Sequence, residues 1–470
     1  MLWAVFRVEW RSALRERAAW AVIAAFAALV VYAALGGWSF VRAENSAMEG
    51  ALKDDAARLS RLREEVVAIA GGAEVRHVAD PRSPSLVGGE LAPRVAALPP
   101  GPLAVVAVGQ RDLLPQAILV TTKARSVSSG RDDGESPMRR SSGPFDLAFV
   151  FVFLLPLMVI ALSYDLLAGE RERGTLALVL SQPVSLATFV LGKALQRAAL
   201  LIAVVLVLGL LAPMIAGGTI GDPGGPLRLA LYAGLLIVYT AFWLTLAVAV
   251  NAWGRSSAGN ALSLVGIWLA LLVVVPGLAS VAVDTLHPSP SRVELINLAR
   301  EAAREAESRS SVLEGNHGKT PGTEELGRRA IEVQSAFERQ VAPVVDRFRE
   351  QHARQQAMVD QLRFLSPAIL LHEGLSDVAG SSVGRHQDFS AQVDRFHDAL
   401  KGFFHERTER AAALTPADYD AMPRFSYRER PDAALAGRVA VSLGALGLAC
   451  AALIALALVG LKRTLSRGLR

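Results

Sequence analysis

Apolar and polar residues follow one another along this chain in long blocks. Six blocks are apolar over roughly the 20 residues that a helix needs to cross a bilayer: 19–41, 145–163, 186–215, 227–250, 259–283 and 435–461. Trp20 and Trp38 stand near the two ends of the first, where aromatic rings favour a membrane interface. Pro156 sits inside the second and predicts a kink whose freed carbonyl neighbours can re-satisfy, and Pro276 lies near the outer end of the fifth. Residues 1–18 place Phe6, Trp10 and Leu14 at helical spacing, with Arg7, Arg11, Arg15 and Arg17 on the remaining face. That predicts an amphipathic helix lying in the interface. A secretory signal is the competing reading, and the long apolar run that follows, without a clear small-residue cleavage site, argues against it.

Two polar blocks, 42–144 and 284–434, separate these runs. Residues 42–70 are helical in pattern and extend the first spanning helix. Beyond Gly71 the chain is rich in Pro and Gly, with β-favouring runs at Leu103–Val108 and Ala117–Thr122, and 126–143 reads as a flexible loop. In the second block, Ser291–Leu313 and Thr323–Leu362 are helical, with a turn at 317–322. Ser366 is a good N-cap before Pro367, and Gly380 marks that helix's end. Phe389, Val393, Phe396, Leu400 and Phe404 then share one helix face that wants a partner, and 412–432 reads as loop. The fold expected is an all-α membrane protein: six transmembrane helices with a mostly helical extracytoplasmic domain containing a small amount of β.

Between the second and third spanning runs lies a short charged hairpin, residues 164–185. Asp165, Glu170, Arg171, Glu172 and Arg173 crowd into it, and charges of both signs at that density do not belong in hydrocarbon. Gln182, Pro183, Val184 and Ser185 read as a turn restarting a helix. With six spans, this hairpin, residues 1–18, Arg255 and the tail 462–470 all fall on one side, and that side is basic throughout. The positive-inside rule makes it cytoplasmic, with both termini there and both polar blocks outside. On composition alone the hairpin is equally an ordinary basic loop.

Composition supports an integral membrane protein: 52% hydrophobic, 20% charged, mean hydropathy +0.35. A net charge of +5 is too small to argue for nucleic acid. A single cysteine, Cys450, makes no internal disulfide. There is no GxxxxGK[ST]; the glycine-rich stretch 216–226 lacks its Lys-Ser/Thr ending and reads as a turn. The chain is therefore expected to carry no nucleotide cofactor of its own on such a loop. His372, His386, His397 and His405 lack the i, i+4 spacing of metal ligands, and no Ser/His/Asp or paired-carboxylate motif suggests hydrolysis.

The string GERERGTLALVLSQPVS, followed by Gly192 and Lys193, resembles the cytoplasmic loop of ABC-2-type (type-2 exporter) ABC transporter permeases. DPRSPSLVGG, LPPGPLAVVAVGQRDLLP, GPFDLAFVFVFLLPL, LSPAILL, the glycine after DVA, and RHQDF resemble a subfamily with a large extracytoplasmic insertion before the last helix, similar to the maturation permeases that accompany nitrous-oxide reductase. That subfamily often carries Thr-Asp after the glycine, where this chain has Ser381 and Ser382. The resemblance implies that 164–185 forms a coupling helix docking on a separate cytoplasmic ABC ATPase, which holds ATP and Mg. It implies coupling roles for Glu170, Arg171, Glu172, Arg173, Gly174, Thr175, Leu176, Gln182 and Pro183, with Glu170, Arg173, Gly174 and Thr175 at the contact centre. Leu176, Leu178 and Leu180 would supply apolar burial there, and Gly174 a close backbone approach. It further implies a second permease subunit, identical or paralogous, in a bacterial cytoplasmic (inner) membrane. The outcome of the cycle would be export of a substrate or, alternatively, mechanical action on an extracytoplasmic partner protein.

Overall fold

The computed structural model describes residues 2–73, 80–109, 114–123, 125–127, 145–182, 184–215, 224–254, 256–288, 300–301, 304 and 323–468. The expectations for Pro183, Arg255, residues 128–144, the turn at 216–223, most of Ser291–Leu313 and the turn at 317–322 lie outside them. Helix α1 (Leu2–Arg15) stops where Glu16 turns to an extended conformation, and α2 (Arg17–Ala70) then runs unbroken for 54 residues. At 1.5 Å per residue that is about 80 Å, far more than a bilayer, so α2 both spans and projects. Among the described residues six helices are long and apolar enough to cross a membrane. They are α2, α3 (147–163), α6 (Leu186–Ile215), α7 (Gly225–Trp253), α8 (Ser257–Leu286) and α13 (Asp432–Gly468). Between α3 and α6 the hairpin holds two short helices, α4 (Ala168–Glu172) and α5 (Thr175–Leu180).

At the opposite end of the bundle stands a second body. Its helices are α9 (Thr323–Leu362), α10 (Pro367–Ala379), α11 (Val383–Glu409) and α12 (Pro416–Ala421). Its sheet is antiparallel, in the order β1 (Arg94–Ala97), β2 (Ala117–Val120), β3 (Arg125–Val127), with Arg94 opposite Val120 and Ile118 opposite Val127. Phe389, Val393, Phe396, Leu400 and Phe404 are buried as their spacing requires, against Val66 of the projecting part of α2, Ala96, Val120 and Tyr419. Ser366 caps α10, accepting from Ala368 N, and Gly380 closes it at φ +75.

Two expectations are corrected. Leu103–Val108 forms buried turns, not a strand, and β1 pairs with β2 in its place. The run is apolar on every residue and is wedged against the bundle, where Ala148 N bonds Val106 O at 2.8 Å. Residues 412–432 are not all loop, because Thr415 and Asp418 make a reciprocal capping box that starts α12.

Proline breaks are met by side chains from neighbouring helices. Tyr239 Oη donates to Val152 O, within the widened stretch that precedes Pro156, at 2.8 Å. Pro213, inside α6, leaves the carbonyl four residues back, Gly209 O, without its helix donor, and Tyr232 Oη donates to it at 3.1 Å. Just before Pro156 and Pro276 the helices widen to π turns at Val150–Leu154 and Ala270–Val274. In π register Pro276 would bond Leu271 O, and Ser366 Oγ donates there at 2.6 Å. Trp268 Nε1 meets Phe153 O at 3.1 Å. In an apolar bundle each unanswered carbonyl would cost several kcal/mol, so these donors hold the kinks in place.

Tyr232→Phe should therefore destabilise the protein by about 1–3 kcal/mol, the cost of one buried unpaired carbonyl. The loss should largely vanish in a Pro213→Ala background, where residue 213 regains its own N–H for Gly209 O. Chemical denaturation in micelles of the two single variants and the double variant measures this; equal losses from Tyr232→Phe in both backgrounds would contradict the assignment.

Candidate functional site

The hairpin is built where α3 ends and must turn without water to satisfy its backbone. Asn251, near the end of α7 and 1% exposed, supplies the missing partners. Its Oδ1 accepts from Leu167 N at 3.1 Å and Ala168 N at 3.5 Å, the free donors at the start of α4. Its Nδ2 donates to Ser163 O at 3.1 Å and Ala247 O at 2.9 Å. Asn260 of α8, equally buried, donates to Asn251 Oδ1 at 3.1 Å and to Tyr164 O at 3.3 Å. Gly254 makes room for it: a Cβ there would lie 1.6 Å from Asn260 Oδ1. Below this knot Leu166, Leu167, Leu186, Val190, Ala249, Ala252, Ala457 and Leu461 form a separate apolar core, with Leu176 packed against it.

The charged residues expected at a contact surface divide into two sets. Glu170 and Arg171 turn inward. Glu170 takes the ammonium of Lys193 at 2.7 Å, the guanidinium of Arg173 at 3.1 Å and the hydroxyl of Thr175. Arg171 Nη1 donates to Gly254 O at 2.7 Å. Glu172 caps α8, accepting from Ser257 N at 2.7 Å and Ser257 Oγ at 2.8 Å, which places a negative charge at a helix N-terminus. Arg173, Gly174, Leu178 and Gln182 face outward, Leu178 being 69% exposed, while Leu176 is turned toward the core. Gly174 has φ +71 with open space where a Cβ would be, and it serves the turn between α4 and α5.

Gly192 and Lys193 tie in α1. A Cβ on Gly192 would lie 2.8 Å from Val5, so the glycine lets α1 cross the base of α6. Lys193 is buried and reaches Glu9 of α1 at 3.5 Å as well as Glu170. The hairpin is thus joined to α1, α6, α7 and α8 by polar bonds. Asn251, Asn260, Gly254 and Glu9 escaped the sequence reading. The available signal was an Asn at each edge of an apolar run, flanking a glycine.

At the other end the second body is fastened to the same helices. Arg228 of α7 donates to Val378 O at 3.1 Å, and Arg438 of α13 pairs with Asp377 at 2.8 Å. Burial pushes the Asp377 carboxyl up, and Arg438 draws it partly back. Arg385 binds Glu429 at 2.9 Å, Gly380 O at 3.1 Å and Pro99 O at 2.9 Å. Residues of α10 belong to the bundle's own core: Ala368, Leu371, Leu375, Val378 and Ala379 pack there.

Asn251→Leu keeps the side chain's size but strips the partners from Leu167 N and Ser163 O, so it should open the hairpin locally. Trypsin cleavage after Arg173 is expected to quicken by about tenfold or more, the effect of losing 1.4 kcal/mol or more of local stability. A cleavage rate equal to wild type would contradict the role given to Asn251.

Comparison with known proteins agrees with this geometry. Over 156 residues, 32% of this chain, it is 33% identical to the probable ABC transporter permease protein NosY of Stutzerimonas stutzeri. The chain spans about half the length of that curated relative, 55% of it. The model of the ABC-2 family transporter proteins matches residues 3–464. The chain is a multi-pass membrane protein of the ABC-2 transporter family.

Proposed function

We propose that residues 164–185 are the surface on which a separate ATPase docks, and that ATP hydrolysis there drives export of a substrate through a pair of permease subunits. The observation that carries the reading is the hairpin's two-sided construction. Its inner side is bonded to three helices, α6, α7 and α8, through Asn251, Lys193, Arg171 and Glu172. Its outer side presents Leu178 and Arg173, whose ion pair to Glu170 stays within the hairpin. A segment built this way passes an outside push to the bundle without being pulled off it. Arg173 would set orientation and Leu178 supply burial in the partner's cleft. The ATP and Mg belong to that partner, a cytoplasmic subunit.

The basic residues that share this end are Arg7, Arg11, Arg15 and Arg17, Arg171 and Arg173 of the hairpin, and Lys462 and Arg463. They support a cytoplasmic position for this end in a bacterial inner membrane, with the second body outside. Alternating access by rigid-body rotation of paired subunits is the proposed mode of transport.

A second reading is favoured by the fastening at the far end. Arg228 on α7 and Arg438 on α13 bolt the second body to two spanning helices. Movement of those helices would move the body, so the subunit would work as a mechanotransmitter on an extracytoplasmic partner.

Two measurements test docking and sidedness. Arg173→Glu with Leu178→Asp should lower the ATPase activity that co-purifies from native membranes at least about tenfold, as expected for losing one buried leucine and placing charge in its pocket. Undiminished co-purification would contradict the docking surface. A cysteine at Arg354, an exposed position on α9, should react with an impermeant maleimide applied to intact cells. Reaction only after lysis would reverse the orientation.

A further inference from the structure

Beside the hairpin, α1 presents a second charged surface. Arg7, Arg11 and Arg15 recur at i, i+4, so their stems rise along one stripe about 6 Å apart. Arg17 follows at the first position of α2. All four are exposed, and among the described residues none enters an ion pair. The Arg7 guanidinium lies over the Trp3 ring, 5.7 Å from its centroid. Trp3, Val8 and Leu14 are exposed on the same helix at 62%, 66% and 50%. The opposite side is taken up within the protein: Val5 sits at Gly192, Glu9 pairs with Lys193, and Ala13 is buried. The outward face is therefore basic residues interleaved with apolar ones, held rigidly at the base of the bundle.

We propose that this face of α1 seats the phosphate groups of anionic phospholipids, and that Glu9, through Lys193 and Glu170, ties the seat to the hairpin. Guanidinium groups match phosphate oxygens in a two-point fork. A zwitterionic headgroup brings its own cation into the stripe, whereas an anionic one leaves net attraction, so the face discriminates by charge. Trp3 and Leu14, together on one edge of the stripe, fit the acyl boundary just beneath. Glu9 and Glu170 share one ammonium, at 3.5 and 2.7 Å, so a shift of α1 on the membrane surface changes what holds Glu170 in place. The tie to the hairpin rests on the proposed ATPase docking; the lipid seat does not.

The full-length protein in phosphatidylcholine bilayers, probed with spin-labelled phosphatidylglycerol and spin-labelled phosphatidylcholine, tests the seat. A preference for phosphatidylglycerol of at least about fivefold at low salt is expected, roughly what one arginine near an anionic surface supplies, and it should fade as salt rises. Arg7→Gln, Arg11→Gln and Arg15→Gln together should abolish it. No preference in the wild type, or an undiminished one in the triple variant, would overturn the seat. So would a triple variant that keeps its lipid preference but no longer co-purifies with the ATPase, because the face would then belong to the protein partner. For the tie, adding phosphatidylglycerol to nanodiscs holding the complex should change the ATP hydrolysis rate. Glu9→Gln should remove that response while leaving the lipid preference intact. An unchanged response in Glu9→Gln would overturn the tie. Failure of any complex to form would remove the tie together with the docking proposal, while the lipid preference would still report on the seat.

Discussion

One buried amide carries the hairpin. Asn251 offers the acceptor that the start of α4 lacks and the donors that Ser163 O and Ala247 O can use, and Asn260 braces it from α8. A chain leaving an apolar bundle has to turn while its backbone groups still want partners, and each one left unmet in a dry setting is costly. Placing an amide at that point solves the turn and also welds it to two other helices. Glu172 extends the weld to the start of α8, and Lys193 extends it to α6 and α1.

The same solution recurs wherever the bundle departs from regular helix. Tyr239, Tyr232 and Ser366 answer the carbonyls around Pro156, Pro213 and Pro276, the two tyrosines from α7 and the serine from the start of α10. Ser366 matters twice, since it also caps α10 and so pins the second body to the π turn of α8. Together with Arg228 and Arg438 this leaves little slack between the spanning helices and the body beyond them. A push on the hairpin would thus meet stiff connections along the length of α7, from Asn251 at one end to Arg228 at the other.

Block hydropathy made the six long helices legible, because apolar runs of that length have few other uses. The aromatic stripe from Phe389 to Phe404 was legible for the same reason, and it found its partners in α2 and the sheet. Periodicity could not tell a buried turn from a strand at Leu103–Val108, where every residue is apolar and the bundle sets the shape. In the hairpin the sequence located the charges but not their direction. Glu170 and Arg171 look as ready for a partner as Arg173 does. Only tertiary packing, through Lys193 and Gly254, turns two of them inward. Asn251 and Tyr232 gave no local sign of their partners, which lie on other helices.

The central claim is that hairpin, α7 and the second body move as one connected train. Spin labels on the second bodies of paired subunits, with the ATPase bound, test it by pulsed distance measurement across the nucleotide cycle. The account predicts that the distance between the two bodies changes when ATP is bound and reverts after hydrolysis, and that Asn251→Leu suppresses the change. A hairpin that follows nucleotide state while that distance stays constant would contradict it.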